Sequence, residues 1–374
     1  MKNILITGGA GFIGSHISMK LVKSGYNITV LDNLSEQIHG RNSLLYEKIK
    51  NHVTFIKGDV CNKEDWLRAL NKQDAIIHLA AETGTGQSMY EIANYNKVNI
   101  LGTANMLDIL ANTQHSIKKI IISSSRAIYG EGKYIDAQNN FIYPKERDTN
   151  LIKKGIFDPI CNISKKPLKA VATDENSKIQ PISSYGLTKY YQEQILFLMG
   201  RSLNIPVVAL RYQNVFGPEQ SLINPYTGIL SIFSTRILNN NDIEIYEDGL
   251  MTRDFVYIDD VVEATIEVMK NKNANNNFFN VGSGCPVTVL EVANSLKSLY
   301  NSKINIQISK RFRVGDIRHN FANISKIRDV TGFVPKFDFN TGLSKFVEWV
   351  KKQNIHNDKY EESVEELSKK GLIK

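Results

Sequence analysis

Short runs of Ile, Val and other apolar residues recur along the first 210 positions and predict buried strands. These runs are almost continuously apolar, which is typical of strands covered on both faces. Segments with helical spacing separate several of them, among them Phe12–Ser24 and Val98–Ala111. Strands alternating with helices predict an α/β fold, a doubly wound parallel sheet of the Rossmann type. The apolar runs are Asn3–Thr7, Ile28–Leu31, Val53–Ile56, Ala75–Leu79, Lys119–Ser123 and Val207–Leu210.

The pattern loosens after about Asn214, where shorter strands and helices continue to the end of the sequence. We expect a dinucleotide-binding domain over 1–213, to which 254–281 returns. A second, smaller mixed α/β domain would comprise 214–253 and 282–374 and bind the substrate. It would close over the carboxyl edge of the parallel sheet, where such folds bind their ligands.

Two polar segments stand outside this pattern. The stretch Gly130–Asp174 has little periodicity, and a segment of that length is expected to be a functional lid or a disordered excursion. The tail after about Lys351 alternates Lys and Glu. That alternation predicts a solvated helix.

Composition excludes several classes of protein. The chain has 374 residues and is 42% hydrophobic, yet no apolar stretch approaches the ~20 residues of a membrane span. The first residues run straight into a strand without a secretory signal, which predicts a cytoplasmic protein. The net charge of +8 is scattered among acidic residues. We therefore expect no nucleic-acid partner, although the surplus suits a small polyanionic ligand.

A glycine turn between the first strand and the first helix predicts a dinucleotide site. Gly8, Gly11 and Gly14 form a G-x-x-G-x-x-G pattern, which lets the backbone approach a pyrophosphate at the helix N-terminus. Asp32 ends the second strand, where a carboxylate hydrogen-bonds the adenosine ribose and repels a 2′-phosphate. NAD is therefore favoured over NADP. Asp59, after the third strand, either reaches the adenine or simply ends a strand.

Tyr185 and Lys189 lie four positions apart, so on a helix they share one face. A phenol with a pKa of ~10 is a poor base at neutral pH. A neighbouring ammonium and a positively charged nicotinamide would favour the phenolate, which could then exchange a proton with a sugar hydroxyl. Ser125 ends a serine run after the fifth strand and is placed to bond the same oxygen.

With these residues in hand, the chain resembles the extended short-chain dehydrogenase/reductase family, specifically its nucleotide-sugar 4-epimerases and dehydratases. The resemblance runs from Lys2 to about Leu343. The matching motifs are Gly8–Gly14, Leu31–Leu34, Gly58–Val60, His78–Ala81, Asn99, Ser123–Ser125, Tyr185–Lys189, Arg211–Asn214, Arg253–Phe255, Asn280–Gly282 and Arg313–Asp316.

The resemblance implies roles for individual residues. Ser125, Tyr185 and Lys189 would be catalytic. The nucleotide-sugar ligands would be Glu82, Thr83, Gln87, Ser125, Arg126, Asn214, Tyr246, Arg253, Arg313 and Asp316. Loop polarity alone would also explain Glu82, Thr83 and Gln87, and strand packing would also explain Tyr246. NAD would be held by Gly8, Gly11, Phe12, Ile13, Asp32, Asn33, Asp59, Val60, Leu79, Ala80, Ala81, Asn99, Ser123, Tyr185, Lys189 and Tyr212.

The residues after Ser125 separate the reactions of this family. The dehydratases that the chain resembles have an Asp-Glu pair there, whereas this sequence has Arg126-Ala127. Without those carboxylates the elimination of water lacks its acid and base, so we expect an NAD-dependent 4-epimerase, an isomerase. The segments 80–91 and 125–130 are most similar to those of dTDP-L-rhamnose 4-epimerases, which implies conversion of dTDP-L-rhamnose to dTDP-6-deoxy-L-talose.

Other interpretations stay open. They are a UDP-hexose 4-epimerase, a nucleotide-sugar reductase or dehydrogenase on the same fold, and a non-catalytic sugar-nucleotide-binding protein. Family members are commonly dimers, which implies a homodimer here through helices near Val98–Ala111 and Ser184–Leu203. The isolated Cys61, Cys161 and Cys285 predict no disulfide framework. Relatives carry a second cysteine near the position of Cys161, and its loss here predicts that no metal is bound.

Overall fold

Strands and helices alternate along the first 210 residues of the computed structural model, which describes residues 1–40, 43–224, 226, 228–355 and 357–374. The strands are β1 Asn3–Thr7, β2 Asn27–Asp32, β3 Thr54–Lys57, β4 Ala75–His78, β5 Lys119–Ser125, β6 Tyr134–Ile135, β7 Phe141–Ile142, β8 Lys169–Ala170, β9 Val207–Tyr212, β10 Asn214–Phe216, β11 Ile243–Ile245, β12 Thr252–Tyr257, β13 Asn277–Val281, β14 Pro286–Thr288, β15 Ile306–Ile308 and β16 His319–Asn320.

The helices begin and end close to the predicted positions where the apolar spacing is strongest. They are α1 Phe12–Lys23, α2 Glu36–His39, α3 Leu44–Ile49, α4 Lys63–Leu70, α5 Ile92–Tyr95, α6 Gly102–Asn112, α7 Thr149–Lys153, α8 Ser184–Ser202, α9 Ile229–Leu238, α10 Ile258–Lys270, α11 Val289–Tyr300, α12 Ser325–Thr331, α13 Phe339–Val350 and α14 Tyr360–Lys369. The predicted helix at Val98–Ala111 is divided, because a π-helical turn over Asn96–Leu101 precedes α6.

Seven strands form one parallel sheet in the order β13-β9-β5-β4-β1-β2-β3. The order reverses at β1, as in doubly wound folds, which confirms the predicted fold class. Because all the strands are parallel, their carboxyl ends meet at one edge of the sheet. Thr7, Asp32, His78, Ser125 and Tyr212 end their strands there.

Helices cover both faces of this sheet. On one face, Ile17 of α1 and Val261 of α10 are fully buried in a cluster with alternate side chains of the strands. On the other face, Trp66 of α4, Met106 of α6 and Leu196 of α8 are fully buried in a second cluster. Burial on both sides is the physical reason why the strand sequences are apolar at nearly every position.

Smaller sheets lie beside the carboxyl edge. Strand β12 pairs with β10 and β16 in parallel and with β14 in antiparallel orientation, and β11 pairs with β15. Strand β13 and helix α10 belong to the large sheet and its covering layer. The domain boundaries given above remain a prediction.

The segment 130–174 has local structure of its own. Strands β6, β7 and β8 form a small antiparallel sheet, with Tyr134, Cys161 and Leu168 buried beneath it. The alternative of a disordered excursion is wrong, because the strands are two residues long and too short to produce a visible alternation. A function as a lid stays a prediction.

Buried ion pairs attach this insertion to the region of β11, β12 and β16. Arg147 lies 3.0 Å from Glu131 and forms two hydrogen bonds of 2.8 and 2.9 Å with Glu247. Arg318 is 2% exposed and contacts Glu247, Asp248 and Asp158. Arg147 also donates to the backbone carbonyl of Asp316, at 2.9 Å. The insertion therefore holds the 316–318 segment in place.

The prediction of a solvated helix in the tail is wrong for one face of that helix. Tyr360, Val364 and Leu367 of α14 are buried, together with Ile373. These three α14 residues recur at the helical spacing i, i+4, i+7, a pattern that the alternating charges of the tail conceal.

We expect Arg147→Met to lower the free energy of unfolding by about 3–5 kcal/mol at pH 8, because Glu131 and Glu247 would stay buried without their guanidinium. The loss should be smaller at pH 5, since unpaired buried carboxyls have raised pKa values and are then more easily neutralised. Urea unfolding at both pH values measures this. Lys153→Met, on the exposed side of the same insertion, serves as the control, and equal stability of the two variants would contradict the prediction.

Candidate active site

A cavity of about 610 Å³ lies at the carboxyl edge of the parallel sheet, between the sheet and the smaller strands. The glycine turn lines one end, Ser125 and Tyr185 line the middle, and Arg253 and Tyr246 line the other end. The strand ends converge here, so side chains distant in sequence share one space.

The glycine turn has the close backbone approach that its sequence predicts. Gly8 has φ +66°, and a Cβ at Gly14 would lie 2.2 Å from the Gly8 carbonyl oxygen. Gly11 precedes α1 and provides no side-chain cap. The amides of Phe12 and Ile13 at the start of α1 therefore remain available to an anionic group.

Asp32 is held rigidly beside this turn. Its carboxylate accepts hydrogen bonds from the amides of Ala10, at 3.0 Å, and Leu34, at 2.9 Å. His39 of α2 lies 3.2 Å from the same carboxylate, which sequence reasoning missed because nothing in the pattern predicts that α2 folds back over β2. A carboxylate accepts about four hydrogen bonds, so Asp32 can still accept a hydrogen bond from a ribose hydroxyl.

Asp59 faces the same end of the cavity as Asn33. The Asn33 amide donates to Asp59 at 3.2 Å, and the Cys61 amide donates at 2.8 Å. Burial alone would raise the pKa of Asp59, but these hydrogen bonds outweigh it and lower the pKa below its usual value. Asp59 is therefore an ionised acceptor at neutral pH.

The loop after β4 forms the floor of the cavity and is fixed by Asn99. The Asn99 side chain accepts from the Glu82 amide, at 2.8 Å, and donates to the Glu82 carbonyl and to Thr188. Tyr95 donates to the carbonyls of Thr83 and Gly84. Asn99 is fully buried beneath the loop and does not line the cavity. Its contact with NAD stays a prediction, and its visible function is to position the loop.

Gln87 forms a contact across the cofactor end of the cavity. Its side chain accepts from Gln37 of α2 at 2.8 Å and donates to Glu91 at 2.9 Å. Gln87 thus joins the loop after β4 to the short helix that carries His39. Its predicted contact with a sugar stays a prediction.

Helix α8 places Tyr185 and Lys189 against the end of β5. Ser183 caps α8 by accepting from the Gly186 amide at 3.1 Å. A Cβ at Gly186 would lie 2.6 Å from the Ala127 carbonyl, so the first turn of α8 packs directly on the loop after Ser125. Lys189 is 2% exposed and donates to the Ser123 carbonyl at 2.9 Å.

Burial and the neighbouring side chains set the pKa of Tyr185. Burial raises the pKa of Tyr185, while hydrogen bonding with Ser125 and the nearby charge of Arg126 act in the opposite direction. Burial lowers the pKa of Lys189 to about 7, against a smaller raising effect of Glu193. Tyr185 is therefore protonated at neutral pH in this state, and added positive charge beside it would favour the phenolate.

Basic side chains surround the middle and far end of the cavity. Arg126 donates to the Asn214 side chain at 3.0 Å. Arg253 donates to Asp316 at 2.8 Å and to the backbone carbonyls of Ile317 and Arg318. The Arg313 guanidinium lies 5.9 Å from the centre of the Tyr246 ring. Planar guanidinium groups suit the oxygens of a diphosphate.

The structure brings all the sequence-predicted site residues except Asn99 to the wall of this one cavity. The same wall includes residues that sequence reasoning did not select, among them His39, Gln220, Tyr226, Glu244, Tyr360 and Leu367. Which of these residues contact NAD or a substrate stays a prediction.

The described residues contain no cluster of His, Cys, Asp and Glu suited to a metal ion. The three cysteines are free thiols: Cys61 is partly buried, Cys161 is buried and Cys285 is exposed. Of the helices in the described part of the chain, none combines the length and apolar character of a membrane span.

A family model describing the NAD dependent epimerase/dehydratase family matches residues 4–150 and 164–282. The chain belongs to this family, and its cofactor is NAD. Three features of the cavity fit that dinucleotide: the uncapped start of α1, the glycine turn and the carboxylate of Asp32. The predicted family, fold class and enzyme class, an NAD-dependent isomerase of the 4-epimerase group, are confirmed.

Individual relatives narrow the comparison. The dTDP-L-rhamnose 4-epimerase of Burkholderia thailandensis is 36% identical over 93% of this chain and 95% of its own length. The UDP-glucose 4-epimerase of Thermotoga maritima, solved with UDP-glucose, has a TM-score of 0.76 at 31% identity and covers 94% of this chain and 99% of its own. A UDP-glucuronic acid 4-epimerase from Bacillus cereus, solved with UDP-glucuronic acid and NAD, has a TM-score of 0.76 at 26% identity, with the same coverage of both chains.

We expect Tyr185→Phe to abolish nearly all turnover while leaving the fold and NAD content unchanged, because only the proton-transferring hydroxyl is lost. Ser125→Ala should reduce turnover less, since it removes one supporting hydrogen bond. Single-turnover rates and the NAD released on denaturation measure both effects. Tyr190→Phe, on α8 but outside the cavity wall, is the matched control. Near-normal turnover in Tyr185→Phe would show that another group transfers the proton.

Proposed function

We propose that this protein is a nucleotide-sugar 4-epimerase that interconverts two C4 epimers through a 4-keto sugar. The observation that carries the proposal is the placement of Ser125, Tyr185 and Lys189 in one cavity with the glycine turn, without an acidic pair after Ser125. Arginines at the far end suit the diphosphate of the substrate.

The residues of the chain supply proton transfer and orientation. As the phenolate that added positive charge beside it favours, Tyr185 takes the proton of the C4 hydroxyl and later returns it, while Ser125 hydrogen-bonds the same oxygen. Lys189 donates to the Ser123 carbonyl and lies on the buried side of the site. NAD, which the glycine turn and Asp32 would hold, would supply the acceptor and the donor of the C4 hydride. Arg253 and Arg313 retain the diphosphate while the sugar turns.

The side chains at 126 and 127 argue against dehydration. Arg126 bonds to Asn214, and the Ala127 amide donates to Ser125 at 3.1 Å. Among the carboxylates that line the cavity, Asp316 is paired with Arg253. Burial alone would raise the pKa of Asp316, but Arg253 and Arg313 outweigh it and lower the pKa. An elimination needs an acid at the sugar, and Asp316, which these arginines hold ionised, is not suited to that role.

For the substrate we propose dTDP-L-rhamnose, converted to dTDP-6-deoxy-L-talose. Support comes from the segments 80–91 and 125–130 and from the 36% identity with the Burkholderia thailandensis enzyme. A UDP-hexose is the second candidate, because the Thermotoga maritima enzyme of similar fold was solved with UDP-glucose. Turnover of a panel of both nucleotide sugars, followed by NMR, discriminates between them.

We expect turnover of dTDP-L-rhamnose in deuterium oxide to give the talo product without carbon-bound deuterium, because the C4 hydrogen never leaves the closed site as a proton. Added NADH should not be consumed, and the reaction should settle at a mixture of both sugars. Proton NMR and mass spectrometry of the product measure these outcomes.

Deuterium at C3, C5 or C6 would overturn this mechanism, since those bonds break by proton loss. If the chain rejects dTDP-L-rhamnose but turns over another pair of C4 epimers without deuterium, the mechanism stands and only the substrate changes.

We also propose a homodimer. The predicted interface comprises the helical segments Val98–Ala111 and Ser184–Leu203. They expose four large hydrophobic side chains by 38–58%: Leu101, Leu187, Tyr191 and Leu198. A shared face of this kind on α8 and the turn before α6 is suited to a second copy. We expect sedimentation equilibrium to give twice the chain mass, and Leu198→Glu to shift it to the monomer. A monomeric unaltered protein would contradict the proposal.

We propose a cytoplasmic location on the evidence of the three unpaired thiols, which suit a reducing compartment. Fractionation of cells that produce the chain tests this location.

A further inference from the structure

The segment 358–374 forms part of the wall of the cavity. Its helix, α14, turns Tyr360, Val364 and Leu367 inward, where they pack with Tyr90, Ile232, Tyr246 and Leu372. Of the three inward residues, Tyr360 and Leu367 line the cavity, whereas Val364 is buried behind them.

Backbone pairing fixes this segment to the stretch between β15 and β16 that contains Arg313. Phe312 and Lys374 exchange hydrogen bonds of 2.9 and 3.0 Å, and the Val314 amide donates to the Leu372 carbonyl at 2.8 Å. Arg313 lies between them, opposite Ile373. Its Nε atom is buried and has no hydrogen-bond partner among the described residues. The segment thus holds in place a guanidinium that still has a donor to offer.

Side-chain contacts continue on both sides of the cavity. Arg236 pairs with Asp358 and Glu361, and its guanidinium lies 4.3 Å from the Tyr360 ring centre. On the opposite side, Leu367 lies 3.8 Å from where a Cβ of Gly86 would be. The segment therefore contacts α9 on one side of the cavity and the loop after β4 on the other.

The hydroxyl of Tyr360 meets two polar groups at the end of the cavity farthest from the glycine turn. It lies 3.2 Å from the Glu244 carboxylate and 3.3 Å from the Tyr246 hydroxyl. An apolar side chain at Leu367 and a polar cluster at Tyr360 together resemble the mixed lining of a ligand subsite.

We propose that Leu367 and Tyr360 of the segment 358–374 form the wall of the subsite for the nucleoside diphosphate, and that they determine its affinity. This inference rests on the proposed nucleotide-sugar function. Arg313 marks the phosphate end of the subsite, and the Tyr360 cluster marks the end that receives the nucleoside. Leu367 covers the ligand from the side of Gly86.

Calorimetric titration of dTDP and of UDP into the full-length protein tests this. Leu367→Ala should weaken binding of the preferred diphosphate about tenfold, the value of a lost apolar contact in a pocket. Tyr360→Phe should weaken it about threefold, the value of one hydrogen bond. NAD content should stay unchanged in both variants, because neither side chain is among the nearest neighbours of Gly8, Gly11 or Gly14.

Val364→Ala is the matched control, since it removes a buried aliphatic side chain from the same helix face without altering the cavity wall. Its unfolding midpoint should fall as that of Leu367→Ala does, while its affinity for the diphosphate should stay that of the unaltered protein. Equal affinity in Leu367→Ala and the unaltered protein, or the same loss in Val364→Ala, would overturn the proposal. Failure of the unaltered protein to bind either diphosphate would count against the nucleotide-sugar function itself, and with it the subsite.

Discussion

The catalytic geometry depends on one close contact, that of the first turn of α8 with the loop after β5. Gly186 allows the two backbones to touch, because a Cβ there would lie 2.6 Å from the Ala127 carbonyl. That contact brings Tyr185 to Ser125, and the bond of Lys189 to the Ser123 carbonyl fixes the next turn of the helix. Any larger residue at 186 would push α8 away and separate the phenol from the serine.

Buried charges then hold the substrate side of the cavity to this catalytic edge. Glu131 follows the loop after Ser125 by a few residues and lies 3.0 Å from Arg147. Arg147 bonds to Glu247 and to the Asp316 carbonyl, and Asp316 in turn pairs with Arg253. Buried ion pairs add little net stability over apolar packing, but a broken one is costly. The network therefore specifies the relative position of the two sides of the cavity.

Sequence patterns predicted what depends on local geometry. The strands of the large sheet are apolar at most positions. The turn at Gly8–Gly14 and the spacing of Tyr185 and Lys189 follow from neighbouring positions. Patterns missed what depends on long-range pairing. His39 reaches Asp32 through a short helix without a distinctive sequence, and the buried face of α14 is masked by its Lys and Glu residues. The 130–174 insertion has strands of two residues, below the length at which alternation can be read.

Arg126 does more than replace an acidic residue, because it adds a positive charge close to Tyr185. Burial lowers the pKa of Lys189 to about 7, so near neutral pH its ammonium is only partly charged. Burial, together with Arg253, lowers the pKa of Arg126 to about 10, which leaves its guanidinium fully charged at that pH. Arg126 also acts to lower the pKa of Tyr185. Where a dehydratase has carboxylates that add and remove protons, this chain has a permanent cation that favours the phenolate. That substitution suits a reaction in which a single tyrosine takes and returns a single proton.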